Sequence, residues 1–206
     1  FAKGDIENAV TDVERAIRWE PNSPELYRAL AEIRMEKIRH LIRAAGQGTN
    51  VRNEFETTVL AARRHIERSR ELNPDDPIVW RAQGQLYELI IPFVDGAEQP
   101  AFASYRKARE LDPLNPSIPV ELGRAGITFA DRLQIILNQG NNPNQYGITQ
   151  ARQQALEEAG KALGDLGTQV TGFTLTPEPF EFPRFGDKAF YLIDFDYRGR
   201  AGDGRA

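Results

Sequence analysis

Residues 77–113 read PIVWRAQGQLYELIIPFVDGAEQPAFASYRKARELDP, and they contain two helical patterns in succession. In the first pattern, Trp80, Gly84 and Tyr87 follow the spacing i, i+4 and i+7, which places them on one face of a helix. The second pattern has the same spacing and ends at a proline: Ala101, Tyr105, Ala108 and then Pro113. Because large side chains alternate with small ones, the stretch predicts a hairpin of two closely packed helices.

The second pattern recurs twice upstream, which indicates an internal repeat rather than a single amphipathic hairpin. The earlier copies have the same offsets and the same closing proline: Ala9, Val13, Ala16 and Pro21, then Ala62, Ile66, Ser69 and Pro74. Two of the three copies end in nearly the same letters, RELNP and RELDP. Counterparts of the first pattern are also present: Tyr27, Leu30 and Ala31, and later Leu122 and Gly123 after Pro116.

This pattern resembles the tetratricopeptide repeat (TPR), which has Trp, a small residue and Tyr on its first helix, and Ala, an aromatic residue, Ala and a closing Pro on its second. The resemblance implies an all-α, TPR-like solenoid of about three and a half helical hairpins. Its predicted span is residues 1–167, divided into a half repeat and three repeats: 1–21, 24–74, 77–113 and 116–167.

In such an array the first helices line an inner surface that binds peptides. With Trp80 as the reference, the expected inner positions are Arg28, Glu32, Arg81, Gln85 and Arg124. Three arginines on one surface suit an acidic partner, because the guanidinium fork binds carboxylates bidentately. The alternative for each of these residues is an ordinary solvated polar face.

The periodicity also predicts where individual helices begin and end. We expect a first helix over 5–19 with Asp5 as its N-cap, and long helices over 24–44 and 53–72. The long pair projects beyond its neighbours, either for a lateral contact or as a tolerated insertion. After a helix over 116–138 and an exposed loop over 139–147, a last helix starts at Ile148 and fades at GDLG, with a stripe of small residues suited to tight packing: Ala151, Ala155, Ala159 and Ala162.

The half repeat lacks the first helix of its hairpin, so its apolar face is expected to be without its usual partner. Ile6, Val10 and Val13 lie on that face. Either the chain belongs to a longer polypeptide, or a neighbouring molecule supplies the missing surface. Head-to-tail contacts of the second kind produce a filament when they do not close.

Residues 168–206 form an extended, partly β tail by composition. Three prolines within 177–183 exclude a helix there, and KAFYLIDFDY at 188–197 has the composition of a strand. We expect this tail to dock on a repeat surface, its own or a neighbour's, and to take part in self-assembly through its apolar residues: Phe173, Phe180, Phe182, Phe190, Tyr191, Ile193 and Phe195.

Composition limits the function classes. The chain has 206 residues, a net charge of −4 and no cysteine, so a nucleic-acid partner, a disulfide framework and a thiolate metal site are not expected. No stretch is apolar enough to span a membrane. Only two histidines are present, and the sequence has neither a phosphate loop nor a convergent set of acid and base residues. These features argue against a metal, a cofactor and catalysis. Threonines of the tail are candidates for O-linked sugar in an extracytoplasmic setting: Thr168, Thr171, Thr174 and Thr176.

These observations predict a non-enzymatic interaction scaffold that self-assembles end to end through its half repeat and tail. A second resemblance supports an alternative. Residues 73–90 and 96–123 look like repeats attached to bacterial O-antigen-ligase-like membrane proteins, which implies a location in the cell envelope. The alternative is therefore a peptide-binding module of a larger envelope protein, without ligase activity, because the membrane catalytic part is absent from this chain.

Overall fold

The computed structural model describes residues 3–140 and 143–169, with side chains over 5–140 and 143–164. Helices account for all regular structure in these ranges, which confirms the all-α prediction. The elements are α1 (Lys3–Trp19), α2 (Pro24–Gly46), α3 (Arg52–Leu72), α4 (Pro77–Ile90), α5 (Glu98–Leu111), α6 (Ser117–Asn138) and α7 (Gln145–Gln169). The predicted strand at 188–197 lies outside the described residues.

The helices pack in a repeat-like order. Three antiparallel pairs, α2–α3, α4–α5 and α6–α7, form hairpins, and each hairpin contacts the helix that precedes it. The first helices also contact one another, α2 with α4 and α4 with α6. One apolar core runs through the hairpins, so each hairpin is stabilised by its neighbours as well as by its own two helices.

The connections between hairpins repeat in detail. Tyr27 donates its hydroxyl hydrogen to the carbonyl of Pro21 at 3.1 Å, and Trp80 donates its indole N–H to the carbonyl of Pro74 at 2.6 Å. Both donors stand six residues after the proline that follows the preceding helix. Each ring also lies near a guanidinium group of α3, that of Arg68 for Tyr27 and that of Arg70 for Trp80. Two equivalent positions therefore perform the same task, as an internal repeat predicts.

Close packing within the central hairpin depends on one glycine. A Cβ atom on Gly84 would lie 2.7 Å from the ring of Tyr105, so no larger residue fits there without a shift. Tyr105 is fully buried, together with Ala101 and Ala108. The predicted alternation of large and small residues is confirmed.

The last hairpin is built in a similar way. A Cβ on Gly126 would lie 2.9 Å from the Ala155 carbonyl oxygen, and one on Gly123 would lie 2.9 Å from Leu163. The stripe of small residues on α7 faces these glycines, and Ala155, Ala159 and Ala162 are buried. The prediction of tight packing by the alanine stripe is therefore confirmed.

The prediction for α1 is only half right. Ile6 and Val10 are 5% and 8% exposed because α1 packs against α2, so these two residues are not an open surface. Val13 is half-buried, and so are Ala9 and Ala16. The equivalent residues of α3, Ala62, Ile66 and Ser69, are at most 1% exposed, because α2 covers them.

Several predicted helix ends were wrong. Helix α1 begins at Lys3, so Asp5 lies in its first turn and is not its N-cap. The stretch FVDGAEQP at 93–100 predicts a loop, but helix α5 begins inside it, at Glu98. Helix α7 begins three residues early, where the Ile148 N–H bonds the Asn144 carbonyl at 3.0 Å, and it continues through GDLG to Gln169. Contact of Leu163 with α6 favours this continuation over the weak helix propensity of the glycines.

Candidate binding site on the first helices

A polar groove runs across the first helices of the three hairpins. It has a volume of about 550 Å³ and lies where α2, α4 and α6 meet. Residues of these helices line it, together with Pro92, which lies two positions after the end of α4. The lining residues are Arg39, Gln85, Glu88, Leu89, Pro92, Glu121, Arg124 and Thr128. We call it the first-helix groove.

Glu121 joins α6 to α4 at one side of the groove. The residue is 6% exposed, and its carboxylate accepts hydrogen bonds from Arg81 Nε at 2.7 Å and Arg81 Nη2 at 2.8 Å. Gln85 Nε2 donates a third hydrogen bond at 2.8 Å. The bond to Glu121 raises the pKa of Arg81, although partial burial acts in the opposite direction. The buried charge is therefore fully paired, which burial requires.

Glu88 joins three helices at the centre of the groove. It accepts a hydrogen bond from the Tyr105 hydroxyl at 2.6 Å, and Arg124 donates to it through Nε and Nη2. Burial, together with the neighbouring Glu88 carboxylate, raises the pKa of Tyr105 far above its ordinary value, so the phenol stays protonated and remains a donor. The hydrogen bond to Glu88 likewise raises the pKa of Arg124. One carboxylate thus connects α4 with α5 and α6.

The structure brings three of the five predicted inner residues together and separates the other two. Arg81, Gln85 and Arg124 lie within hydrogen-bonding distance of the two groove carboxylates. Arg28 and Glu32 instead pair with each other on α2 at 2.7 Å, and neither lines the groove. The helix α2 contributes Arg39 there.

Sequence reasoning missed Arg39, Glu88 and Glu121, although spacing could have found them. Arg39 is seven residues after Glu32, Glu88 is three after Gln85, and Glu121 is three before Arg124. Each spacing returns to the same helix face. Spacing within one helix does not predict which residues pair across helices. This pairing places acidic and basic residues in contact and partly neutralises the expected arginine surface.

The apolar residues predicted for self-assembly are distributed differently. Ile6 and Val10 are buried within the molecule, and Val13 is half-buried. The residues of the predicted tail, Phe173, Phe180, Phe182, Phe190, Tyr191, Ile193 and Phe195, lie outside the described residues. At the end of α1, Trp19 is 84% exposed, a feature that the sequence analysis did not single out.

The arrangement does not resemble a metal centre. Within the described ranges, no three side chains of the types His, Asp and Glu converge to hold a metal ion. His40 Nε2 lies 3.4 Å from Glu36 Oε1, one helical turn away, and His65 is half-buried. None of the described helices has an apolar segment long enough for a membrane crossing.

No family model matches this sequence, and no curated protein matches it. The resemblance to TPR proteins therefore depends on the spacing of the sequence patterns. The structural features that bear on function are the helical hairpins, the repeated proline contacts and the first-helix groove.

Proposed function

We propose that this chain is a non-enzymatic, TPR-like protein–protein interaction scaffold whose first-helix groove binds an extended segment of a partner protein. The observation that carries the proposal is the groove itself: three first helices side by side, with polar side chains held by hydrogen bonds between helices. In this interpretation the hairpins are repeats of a solenoid, and the groove is its inner surface.

The charges of the groove favour an acidic segment. Arg39 on α2 and Arg124 on α6 line the groove together with Leu89 and Pro92 of the α4 region. The Arg39 side chain pairs with Glu36 at 3.1 Å and is 46% exposed. The Arg124 side chain is 56% exposed even though it pairs with Glu88, so part of its guanidinium group faces solvent. A partner segment with a carboxylate between the two arginines and an apolar side chain against Leu89 complements both the basic and the apolar part of the groove.

Fluorescence anisotropy with dye-labelled peptides tests the proposal. We expect peptides that combine Glu or Asp with Leu or Phe to bind saturably, and their charge-inverted counterparts not to bind. Arg39→Gln and Arg124→Gln should each weaken binding about ten- to a hundredfold, since a charged hydrogen bond contributes roughly 1.5–3 kcal/mol.

Arg106→Gln provides a matched control. Arg106 lies on α5, pairs with Glu158 and is 53% exposed, close to the exposure of Arg124. Its substitution should leave peptide binding unchanged. Equal binding of acidic and basic peptides, or equal losses in the groove and control variants, would contradict the proposed site. Thermal melts of all variants separate loss of binding from loss of fold.

We propose end-to-end self-association as a second candidate, favoured by the face of α1. Val13 and Ala16 are half-buried where the equivalent residues of α3 and α5 are buried, and Trp19 is exposed nearby. If copies associate there, sedimentation velocity should show larger species that grow with concentration, and Val13→Glu should abolish them. A wild-type chain that stays monomeric, with no fibres in electron micrographs, would exclude this candidate. Both candidates are compatible with a place in the cell envelope, as a subunit or as a module of a larger protein.

A further inference from the structure

An apolar cleft lies at the end of the molecule where α2 meets α3 and where α4 meets α5. We call it the far-end cleft. Its volume is about 430 Å³, and its apolar lining includes Leu41, Ile42, Val51, Phe55, Phe93 and Val94. Phe93 and Val94 are 54% and 37% exposed, which is unusual for adjacent large apolar residues at a concave surface.

The cleft exists because the first hairpin is longer than the second. Helices α2 and α3 have 23 and 21 residues, whereas α4 and α5 have 14 each. The extra turns bring Phe55 beside Phe93, and the two rings meet edge to face with their centroids 5.8 Å apart. The projecting hairpin therefore makes a lateral contact with the loop after α4.

The loop is fixed from its other side as well. Arg132 of α6 donates a hydrogen bond to the Val94 carbonyl at 2.6 Å and pairs with Asp95. Phe93 and Val94 also bond the Ile90 carbonyl through their backbone N–H groups. The cleft is consequently preformed between two anchored walls. This volume and a mostly apolar lining are typical of ligand-binding pockets, and apolar groups gain free energy by leaving water for such a surface.

A segment of suitable chemistry follows α7 in the chain. Residues 190–195, FYLIDF, carry five apolar or aromatic side chains and one carboxylate, that of Asp194. Arg52 lies on the rim of the cleft, where its Nε pairs with Glu56 at 3.0 Å. The Arg52 side chain is still 83% exposed, so the rest of its guanidinium group is open to a second carboxylate beside the apolar residues.

The length of the intervening chain is sufficient. Helices α6 and α7 are antiparallel, with Gly123 beside Leu163 and Gly126 beside Ala159, so Gln169 is level with the start of α6. From there to Arg132, which touches the cleft loop, the distance along α6 is about 22 Å. The twenty residues between Gln169 and Phe190 span up to about 66 Å, whereas the ten before Phe180 span only about 33 Å. The chain before the later aromatic segment is thus about three times as long as the path along α6, whereas the chain before the earlier one is only about one and a half times as long.

We propose that residues 190–195 occupy the far-end cleft of their own molecule, with aromatic side chains against Phe55 and Phe93 and with Asp194 beside Arg52. The segment then covers Phe93 and Val94 and holds the projecting hairpin against the second hairpin. This inference does not depend on peptide binding by the first-helix groove, because different residues line the groove and the cleft.

Photo-crosslinking of the full chain tests the proposal. A Phe93→p-benzoylphenylalanine variant is irradiated in a mixture of unlabelled and ¹⁵N-labelled chains, and the crosslinked peptides are identified by mass spectrometry. We expect crosslinks from position 93 to residues within 188–197 of the same isotopic composition. Ile193→Asp, which alters no residue of the helical core, should remove them.

Tyr146 supplies the control position, because it is 76% exposed and does not line the cleft. The same probe at Tyr146 should not reach residues 188–197. Crosslinks between light and heavy chains would overturn the proposal in favour of exchange between copies. A position-93 probe that misses the segment, a yield unchanged by Ile193→Asp, or equal crosslinking from Tyr146 would each overturn it outright.

Discussion

The helices α5 and α1 carry the same spacing of residues but reach different degrees of burial. In α5 the three positions, Ala101, Tyr105 and Ala108, are fully buried against α4. In α1 the equivalent positions, Ala9, Val13 and Ala16, are only half-buried. The spacing therefore specifies which face of a helix is apolar, whereas the burial of that face requires a partner helix. Substitutions in these helices and their neighbours should measure how much this difference in burial contributes to stability.

Tyr105→Ala should have the largest effect, a loss of about 3–5 kcal/mol in the free energy of unfolding. The change empties a fully buried site and also removes the hydroxyl that donates to Glu88. Urea denaturation followed by circular dichroism measures it. Tyr105→Phe keeps the ring and isolates the hydroxyl, so it should lose about 1–3 kcal/mol. A Tyr105→Ala protein as stable as wild type would contradict the packing of this hairpin.

Gly84→Ala should lower stability by about 1–3 kcal/mol, because the new methyl group meets the Tyr105 ring. Gly160→Ala on α7 is the matched control, since none of the described residues places an atom within 4 Å of a Cβ there. That change should raise stability by roughly 0.5–1 kcal/mol, the ordinary advantage of Ala over Gly in a helix. Thermal melts of the pair should therefore move in opposite directions. Equal shifts would mean that α4 and α5 are not in close contact.

Val13→Ala should lower stability by only about 1 kcal/mol, because the side chain is half-buried. Truncation to alanine at the equivalent position of α3, Ile66→Ala, should lower the free energy of unfolding by about 2–5 kcal/mol, because Ile66 is 1% exposed. Chemical denaturation at one low protein concentration keeps self-association out of the comparison. A loss for Val13→Ala that matches the loss for Ile66→Ala would show that the face of α1 is covered.

His65 of α3 allows a smaller, pH-dependent test of how closely charged groups of α1 and α2 approach α3. Burial lowers the pKa of His65, Arg34 of α2 lowers it further, and Glu14 of α1 raises it. Because the folded pKa is depressed, the unfolded chain takes up the proton first as the pH falls below about 7. Stability should therefore decrease between about pH 7 and pH 5, and His65→Gln should reduce that decrease.

Thermal midpoints across this pH range measure the effect. Glu14→Gln removes the carboxylate of α1, so it should steepen the decrease in the wild-type background. His40→Gln keeps His65 and serves as the control. If the midpoints of wild type and His65→Gln fall in parallel, the histidine is not buried between these helices.

The sequence predicts helices well in this chain but not their electrostatic contacts. Offsets from Trp80 and Tyr105 gave the hairpins, and the alanine stripe of α7 gave the close packing against α6. The predicted inner surface was less complete, because Glu88 and Glu121 bond residues 36 and 40 positions away. Such distant pairs follow from the placement of whole helices, which periodicity within one helix does not contain.

The hydrogen bonds of Glu88 should determine the order in which the hairpins unfold. Its carboxylate accepts hydrogen bonds from Tyr105 of α5, in its own hairpin, and from Arg124 of α6, so the second and third hairpins cannot separate without breaking this charged pair. These two hairpins should exchange their amide hydrogens as one cooperative block. Among the described helices, α1 contacts α2 alone, so it should fray first, and unfolding should spread from that end towards the centre.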